Sequence, residues 1–160
     1  MQGDLKVIEF LNHALTNELT AVNQYWLHYR LLHHWGLEKL AAFERSESID
    51  EMKHADTLAE RILVLDGLPN FQAIGRIKVG ENVAEVLRAD LALEMEAIPL
   101  LKEAVAHSEA VRDYVSREIF ERILENEENH VDVIETQLEL IERMGLSNYI
   151  LLNSAPIQAE

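Results

Sequence analysis

Glu51-Met52-Lys53-His54 decides the reading of this chain, because Glu127-Glu128-Asn129-His130 repeats its outline 76 residues later. Working outward, Glu18 precedes Glu51 by 33 residues, and Glu94 precedes Glu127 by the same 33. Glu18, Glu51 and His54 therefore map onto Glu94, Glu127 and His130 at one constant offset. Residues three apart are neighbours on a helix face, so each Glu-x-x-His turns one carboxylate and one imidazole to the same side. In the run Glu125-Asn126-Glu127-Glu128 only Glu127 stands three before the histidine, and Glu128 is expected at the surface.

The segments around these residues carry apolar positions at helical spacing. Residues 5–35 repeat Val7, Leu11, Ala14, Val22, Tyr25 and Leu32, with Asp4 as N-cap and Gly36 after the last periodic position. A second helix is expected over 38–65, with Leu40, Phe43, Leu58, Ile62 and Leu65 inward; it stops at Asp66-Gly67-Leu68-Pro69-Asn70. A third covers 82–109, bent by Pro99, which removes the hydrogen bond to residue 95. A fourth covers 113–144, closed by Gly145, and a short fifth runs from Ser147 to Asn153.

Composition agrees with an all-α chain. Only 6% of residues are aromatic, and three prolines and six glycines punctuate all 160 positions, too few for a loop-rich or β-rich fold. The length fits one domain, 1–160, with a full core. The absence of cysteine excludes disulfides, Cys-ligated zinc and iron–sulfur clusters. The net charge of −15 excludes non-specific nucleic-acid binding, which needs basic patches, and suits the attraction of cations. No apolar run approaches the roughly 18 residues of a membrane span, and no basic, apolar leader opens the chain, so a cytoplasmic location without membrane contact is expected.

The connections set the topology. Helices one and two meet at a tight turn near Gly36, and three and four meet at His107–Asp113, which makes two antiparallel hairpins. Asp66 to Glu81 could span about 50 Å when extended, against about 38 Å for a 25-residue helix. It can cross the bundle end to end, placing helices two and three parallel and relating the hairpins by a pseudo-two-fold axis. Asn17-Glu18-Leu19-Thr20-Ala21 against Leu93-Glu94-Met95-Glu96-Ala97 is a local trace of that repeat.

Glu18 lies in the stripe Leu11, Leu15, Val22, Tyr25, and Glu94 in the stripe Leu87, Leu91, Ile98, Leu101, so both point inward. Isolated charges inside a bundle cost several kcal/mol each. Four inward glutamates must take up protons or bind cations; two divalent ions balance four carboxylates, and two neutral imidazoles complete the set. Such ligands suit iron, manganese and zinc. A Glu from each of two helices and a Glu-x-x-His from each of the other two is how four-helix bundles hold a pair of iron or manganese ions. Tyr25, two turns beyond Glu18, is placed to bond a ligand or donate an electron, or to serve as a plain core tyrosine. Glu47, one turn before Glu51, is a mobile carboxylate on an entry path to the site or a half-exposed one. His13, His28, His33, His34 and His107 lack partners at ligand spacing and are expected at the surface.

Across Glu47-Ser48-Ile49-Asp50-Glu51-Met52-Lys53-His54-Ala55-Asp56 the chain resembles a bacterioferritin. Arg61-Ile62-Leu63, Leu65 to Asn70, Asp90 to Glu94, Asp113 to Arg117 and Met144 to Tyr149 agree, and the likeness runs from Met1 to about Asn153. The resemblance implies a ferritin-like bundle whose ferroxidase ligands, catalytic and metal-binding alike, are Glu18, Glu51, His54, Glu94, Glu127 and His130. It implies a di-iron centre, iron storage in a 24-subunit shell built from dimers, Fe²⁺ oxidised by O₂ or H₂O₂, and a ferredoxin-type reductant for iron release. It also implies that Met52, facing away from the six ligands, holds a haem b shared by two subunits, on a face completed by Leu19, Asn23 and Trp26. Ser46, where relatives with an inner-surface iron site carry histidine, and Arg45, where some carry an aromatic residue, depart from the pattern. On the same bundle the alternatives are a non-storage di-iron oxygenase or peroxidase, a manganese catalase, and a haem electron-transfer protein.

Overall fold

The computed structural model describes residues 1–157; the last three positions of the expected domain lie outside them. Among the described residues there are five helices: α1 (Leu5–His34), α2 (Glu38–Val64), α3 (Val83–Ala110), α4 (Tyr114–Met144) and α5 (Leu146–Asn153). The starts of α1, α3 and α4 have a local cause. Asp4, Asn82 and Asp113 accept hydrogen bonds from Val7, Glu85 and Ser116, satisfying otherwise unpaired first-turn donors of α1, α3 and α4. Helix α3 runs on through Pro99, whose ring is exposed.

The two hairpin turns are built alike. After α1, Gly36 adopts φ +83° and the Leu37 N–H reaches back to Leu32 O at 2.9 Å. After α3, Arg112 adopts φ +63° and the Asp113 N–H reaches Ser108 O at 2.9 Å. All three pairs of positions are 76 apart, so the repeat in the sequence is also a repeat in backbone geometry. The left-handed conformation suits glycine and strains arginine, so the second turn carries the same shape at greater cost.

The crossover between α2 and α3 is tied to α1 by a ladder of side chains four residues apart or multiples of four. Asn12 accepts from Asn70 N and donates to Leu68 O; Thr20 accepts from Gly75 N at 2.8 Å. Gln24 accepts from Lys78 N at 2.9 Å, and His28 Nε2 from Gly80 N at 3.0 Å. The connection thus runs alongside α1 in the direction of that helix, and delivers α3 to the end of the bundle where α2 begins. Helices α2 and α3 are parallel, as the length of the connection predicts.

Apolar side chains gather at the two ends of the bundle. One cluster holds Val7, Leu11, Leu15, Leu58, Ile62, Leu101 and Phe120; the other holds Leu32, Leu40, Val86, Leu87, Ile134 and Tyr149. Between them lies a buried polar layer. Its carboxylates are walled from water above and below, which makes their charge an electrostatic problem that only bound cations or protons resolve.

Candidate metal centre

All six residues of the repeated set meet in the middle of that layer. Glu18 from α1, Glu51 and His54 from α2, Glu94 from α3, and Glu127 and His130 from α4 form two quartets. The first is Glu18, Glu51, His54 and Glu127; the second is Glu51, Glu94, Glu127 and His130. Within each quartet one donor atom per residue lies within 4.8 Å of the others. Glu51 and Glu127 belong to both, so they stand between two subsites, and each subsite keeps one private carboxylate and one private imidazole. The five residues other than His54 are buried, at 4% exposure or less.

Each imidazole turns Nδ1 to the carboxylates. His54 Nδ1 lies 3.1 Å from Glu51 Oε2, 3.4 Å from Glu18 Oε2 and 3.5 Å from Glu127 Oε1. His130 Nδ1 lies 3.0 Å from Glu94 Oε1 and 3.4 Å from Glu47 Oε2. The Tyr25 hydroxyl donates to Glu94 Oε1, and its ring meets His130 edge-on at 5.2 Å.

The electrostatics are those of a site lacking its positive charge. Burial, then repulsion from Glu51 and Glu127, holds the Glu18 carboxyl well above the usual range. Burial and the hydrogen bond with Glu127 do the same to Glu94. Burial also pushes Glu127 up, but the neighbouring Glu94, His54 and His130 outweigh it and the net direction is down. Burial disfavours a charged His54, yet its three carboxylate neighbours prevail and raise it to about 12. Protonation is thus favoured at Glu18, Glu94 and His54, on groups that metal ions would otherwise neutralise. Glu127 Oε1 and His130 Nε2 remain buried without hydrogen-bond partners, which fits a donor set shaped for metal rather than for a self-contained salt-bridge network.

The centre opens on two sides. A slot of about 10 Å³ between α1 and α3 is lined by Asn17, Glu18 and Ala21 opposite Leu93, Glu94 and Ala97, with Glu51 and Glu127 at its floor. It is about the size of one water. Across the bundle, a cavity of about 460 Å³ is bordered by Glu47, Asp50, His54, Asn126 and His130 among others. Glu47 lines that cavity, with its side chain 22% exposed; burial is the largest influence raising its pKa, opposed by His130.

A second buried cluster, His28, Glu44 and Asp90, has the composition of a metal site but not its chemistry. His28 Nε2 takes the Gly80 N–H, so its proton is on Nδ1, which faces Asp90 Oδ1 at 2.8 Å. Neither nitrogen is free to ligate without breaking the crossover from α1. The Gln24 amide also donates to Asp90 Oδ1, at 2.8 Å. Glu44, fully buried, is held well above the usual carboxyl range by burial and by Asp90, and neither of its carboxyl oxygens has a hydrogen-bond partner.

This corrects one expectation. His28 is not at the surface: it is fully buried, because its partners Asp90 and Gly80 come from segments far along the chain. His13, His33 and His34 are exposed, and His107 is half-buried against Asp4 at 3.0 Å. Glu128 is at the surface, 3.6 Å from Lys102. Met52 is on the far side of α2 from the carboxylates and 43% exposed; Asn23 and Trp26 of α1 are exposed as well. Leu19, expected on that same face, instead packs into the core of its own chain at 9% exposure, in contact with the cluster around Leu15. Arg45 stacks its guanidinium 5.7 Å from the Trp26 ring, and Asp50 pairs with Lys53 at 3.0 Å. Asn126, which no spacing rule singles out, bonds His54.

The ferritin-like domain family matches residues 8–144. A bacterioferritin of Rhodobacter capsulatus is 50% identical over 159 residues, covering 99% of each chain. Those of Streptomyces coelicolor (52% identical, 94% of this chain and 90% of that one) and Brucella melitensis (51%, 98% and 97%) are similar to the same extent. No helix among the described residues is long and apolar enough to cross a membrane.

Proposed function

Since the chain belongs to the bacterioferritins of the ferritin-like family, we propose that it stores iron, oxidising Fe²⁺ at the six-residue centre. The observation that carries this reading is the pair of quartets sharing Glu51 and Glu127. Glu18 and His54 would hold one ion and Glu94 and His130 the other, with Glu51 and Glu127 common to both sets.

Iron is the substrate. Two Fe²⁺ would compete with protons at Glu18, Glu94 and His54, and the four carboxylates would balance the four positive charges. Two Fe²⁺ give up two electrons; one H₂O₂ with two protons takes them to form two waters, or one O₂ with two protons forms H₂O₂. Tyr25 steadies Glu94, and the apolar clusters on both sides exclude bulk water. Glu47 and Asp50, on the wall of the larger cavity, line a path for iron between the centre and the outside of the bundle.

The remainder of the reading rests on kinship. Copies of the chain assemble as dimers into a 24-subunit shell that encloses the mineral, and a ferredoxin-type protein returns electrons for iron release. Met52, 43% exposed on α2, would hold a haem b through its thioether, and the haem would carry single electrons. The protein acts in the cytoplasm.

The test is aerobic addition of Fe²⁺ to metal-free protein, with iron and the haem Soret absorbance followed through size-exclusion chromatography. Iron far beyond two per subunit, eluting with a very large particle, is the expected result. Iron that stops at two per subunit on a small particle would make this a di-iron enzyme with another substrate. Glu94→Ala and Glu127→Ala should lose rapid oxidation and keep the shell.

A further inference from the structure

The 76-residue repeat pairs the two histidines, but it does not give them the same support. Outside the quartet, Asn126 Nδ2 lies 2.9 Å from His54 Nε2, across the α2–α4 interface. The position equivalent to Asn126 in the first half is Asp50, which would have to serve His130 in the same manner. It does not: Asp50 is paired with Lys53 at 3.0 Å, and His130 Nε2 is buried with no partner. The two subsites have equivalent ligands and unequal backing.

We infer that Asn126 is a positioning residue for His54, and that it makes the Glu18–His54 subsite the tighter of the two. This rests on the metal-binding reading of the six residues. When a metal takes Nδ1 of a histidine, the hydrogen stays on Nε2 and needs an acceptor; such outer partners fix the ring and raise its basicity as a ligand. Asn126 stands at hydrogen-bond distance. With Nδ2 toward the ring, its amide matches a bare Nε2; turned over, it offers Oδ1 to an Nε2–H, the state of both the imidazolium and the metal-bound ring. Asn126 is exposed, so nothing packed around it opposes that turn. His130 has no such acceptor, and binding metal there leaves a buried N–H unsatisfied, which costs affinity.

The experiment is an anaerobic Co²⁺ titration of the assembled protein, read by the visible d–d absorbance of the bound ion, for the native chain, Asn126→Leu and Asn126→Asp. Co²⁺ does not turn over with the oxidant, so affinity is read apart from activity. The native chain should bind two Co²⁺ per subunit in unequal steps. Asn126→Leu, which has the bulk but no acceptor, should weaken the tighter step roughly 10- to 100-fold and leave the other in place. Asn126→Asp keeps an acceptor and should hold the tighter step at the native affinity or better. An unchanged tighter step in Asn126→Leu, equal weakening of both steps, or a change confined to the weaker one would each overturn the inference. Failure of the native chain to bind a Co²⁺ pair at all would instead overturn the metal-centre reading beneath it.

Discussion

The Tyr25 hydroxyl, from α1, and the Nδ1 edge of His130, from α4, converge on one oxygen, Oε1 of Glu94 on α3. Three helices thereby fix the carboxylate that one subsite does not share. Tyr25 is fully buried, so the hydroxyl has no water to fall back on, and the bond ties the orientation of Glu94 to the packing of α1.

Tyr25→Phe should keep the fold and slow the first rapid phase of Fe²⁺ oxidation. A hydrogen bond to a carboxylate is worth about 1.5–3 kcal/mol, so a decline of roughly tenfold or more is expected by stopped-flow absorbance of ferric product. A native rate would show that Glu94 is held without Tyr25.

Metal binding should expel protons. Burial and neighbouring carboxylates raise Glu18 and Glu94 well above the ordinary carboxyl range, and the carboxylates around His54 raise it to about 12. Filling the centre with two Zn²⁺ at pH 7 should release protons into weakly buffered solution, read with an indicator dye. Affinity should climb as pH rises. Uptake with no proton release would mean the ions bind elsewhere.

Glu44 predicts an alkaline weakness of the metal-free protein. Burial first, then Asp90, raises its pKa well above the ordinary 4.5. A group raised by folding contributes stability that is full below its unfolded pKa and lost as pH climbs through the folded one. Glu44→Gln cannot ionise. Its thermal midpoint should gain on the native one as pH goes from 6 to 9; parallel curves would place the titration on another residue.

At the α3–α4 turn, Arg61 reaches Asp113 Oδ1 at 2.7 Å and Ser116 Oγ at 2.9 Å, with both ends of the ion pair under 15% exposed. Burial pushes Asp113 up, but Ser116 and Arg61 hold it below the usual range. Its contribution is therefore present above about 3.8 and disappears as pH falls through the lowered value. Arg61→Ala should cost about 3 kcal/mol and shift acid unfolding to higher pH. A midpoint unchanged by calorimetry would show the pair to be neutral in effect.

Much of this was legible in the chain because the signals are local to one helix. Glu51 and His54 share a face by spacing alone, Asp4 and Gly36 bracket α1 by their backbone chemistry, and the length of the Asp66–Glu81 connection admits the crossing it makes. What stayed illegible depends on contacts between distant segments. His28 reads as a surface histidine until Asp90 and Gly80 are beside it. Asn126 has no mark in its own helix, since His54 belongs to α2. Leu19 sits at the edge of a stripe, where one helix alone does not decide whether it faces its own core or a neighbour.

The most direct measurement is anomalous diffraction at the iron absorption edge from crystals soaked anaerobically with Fe²⁺. Two peaks about 3.5–4 Å apart, one beside Glu18 and His54 and the other beside Glu94 and His130, with Glu51 and Glu127 between them, are the expected result. A single peak, or iron found only on the cavity wall near Glu47 and Asp50, would contradict a two-iron oxidation centre in this bundle.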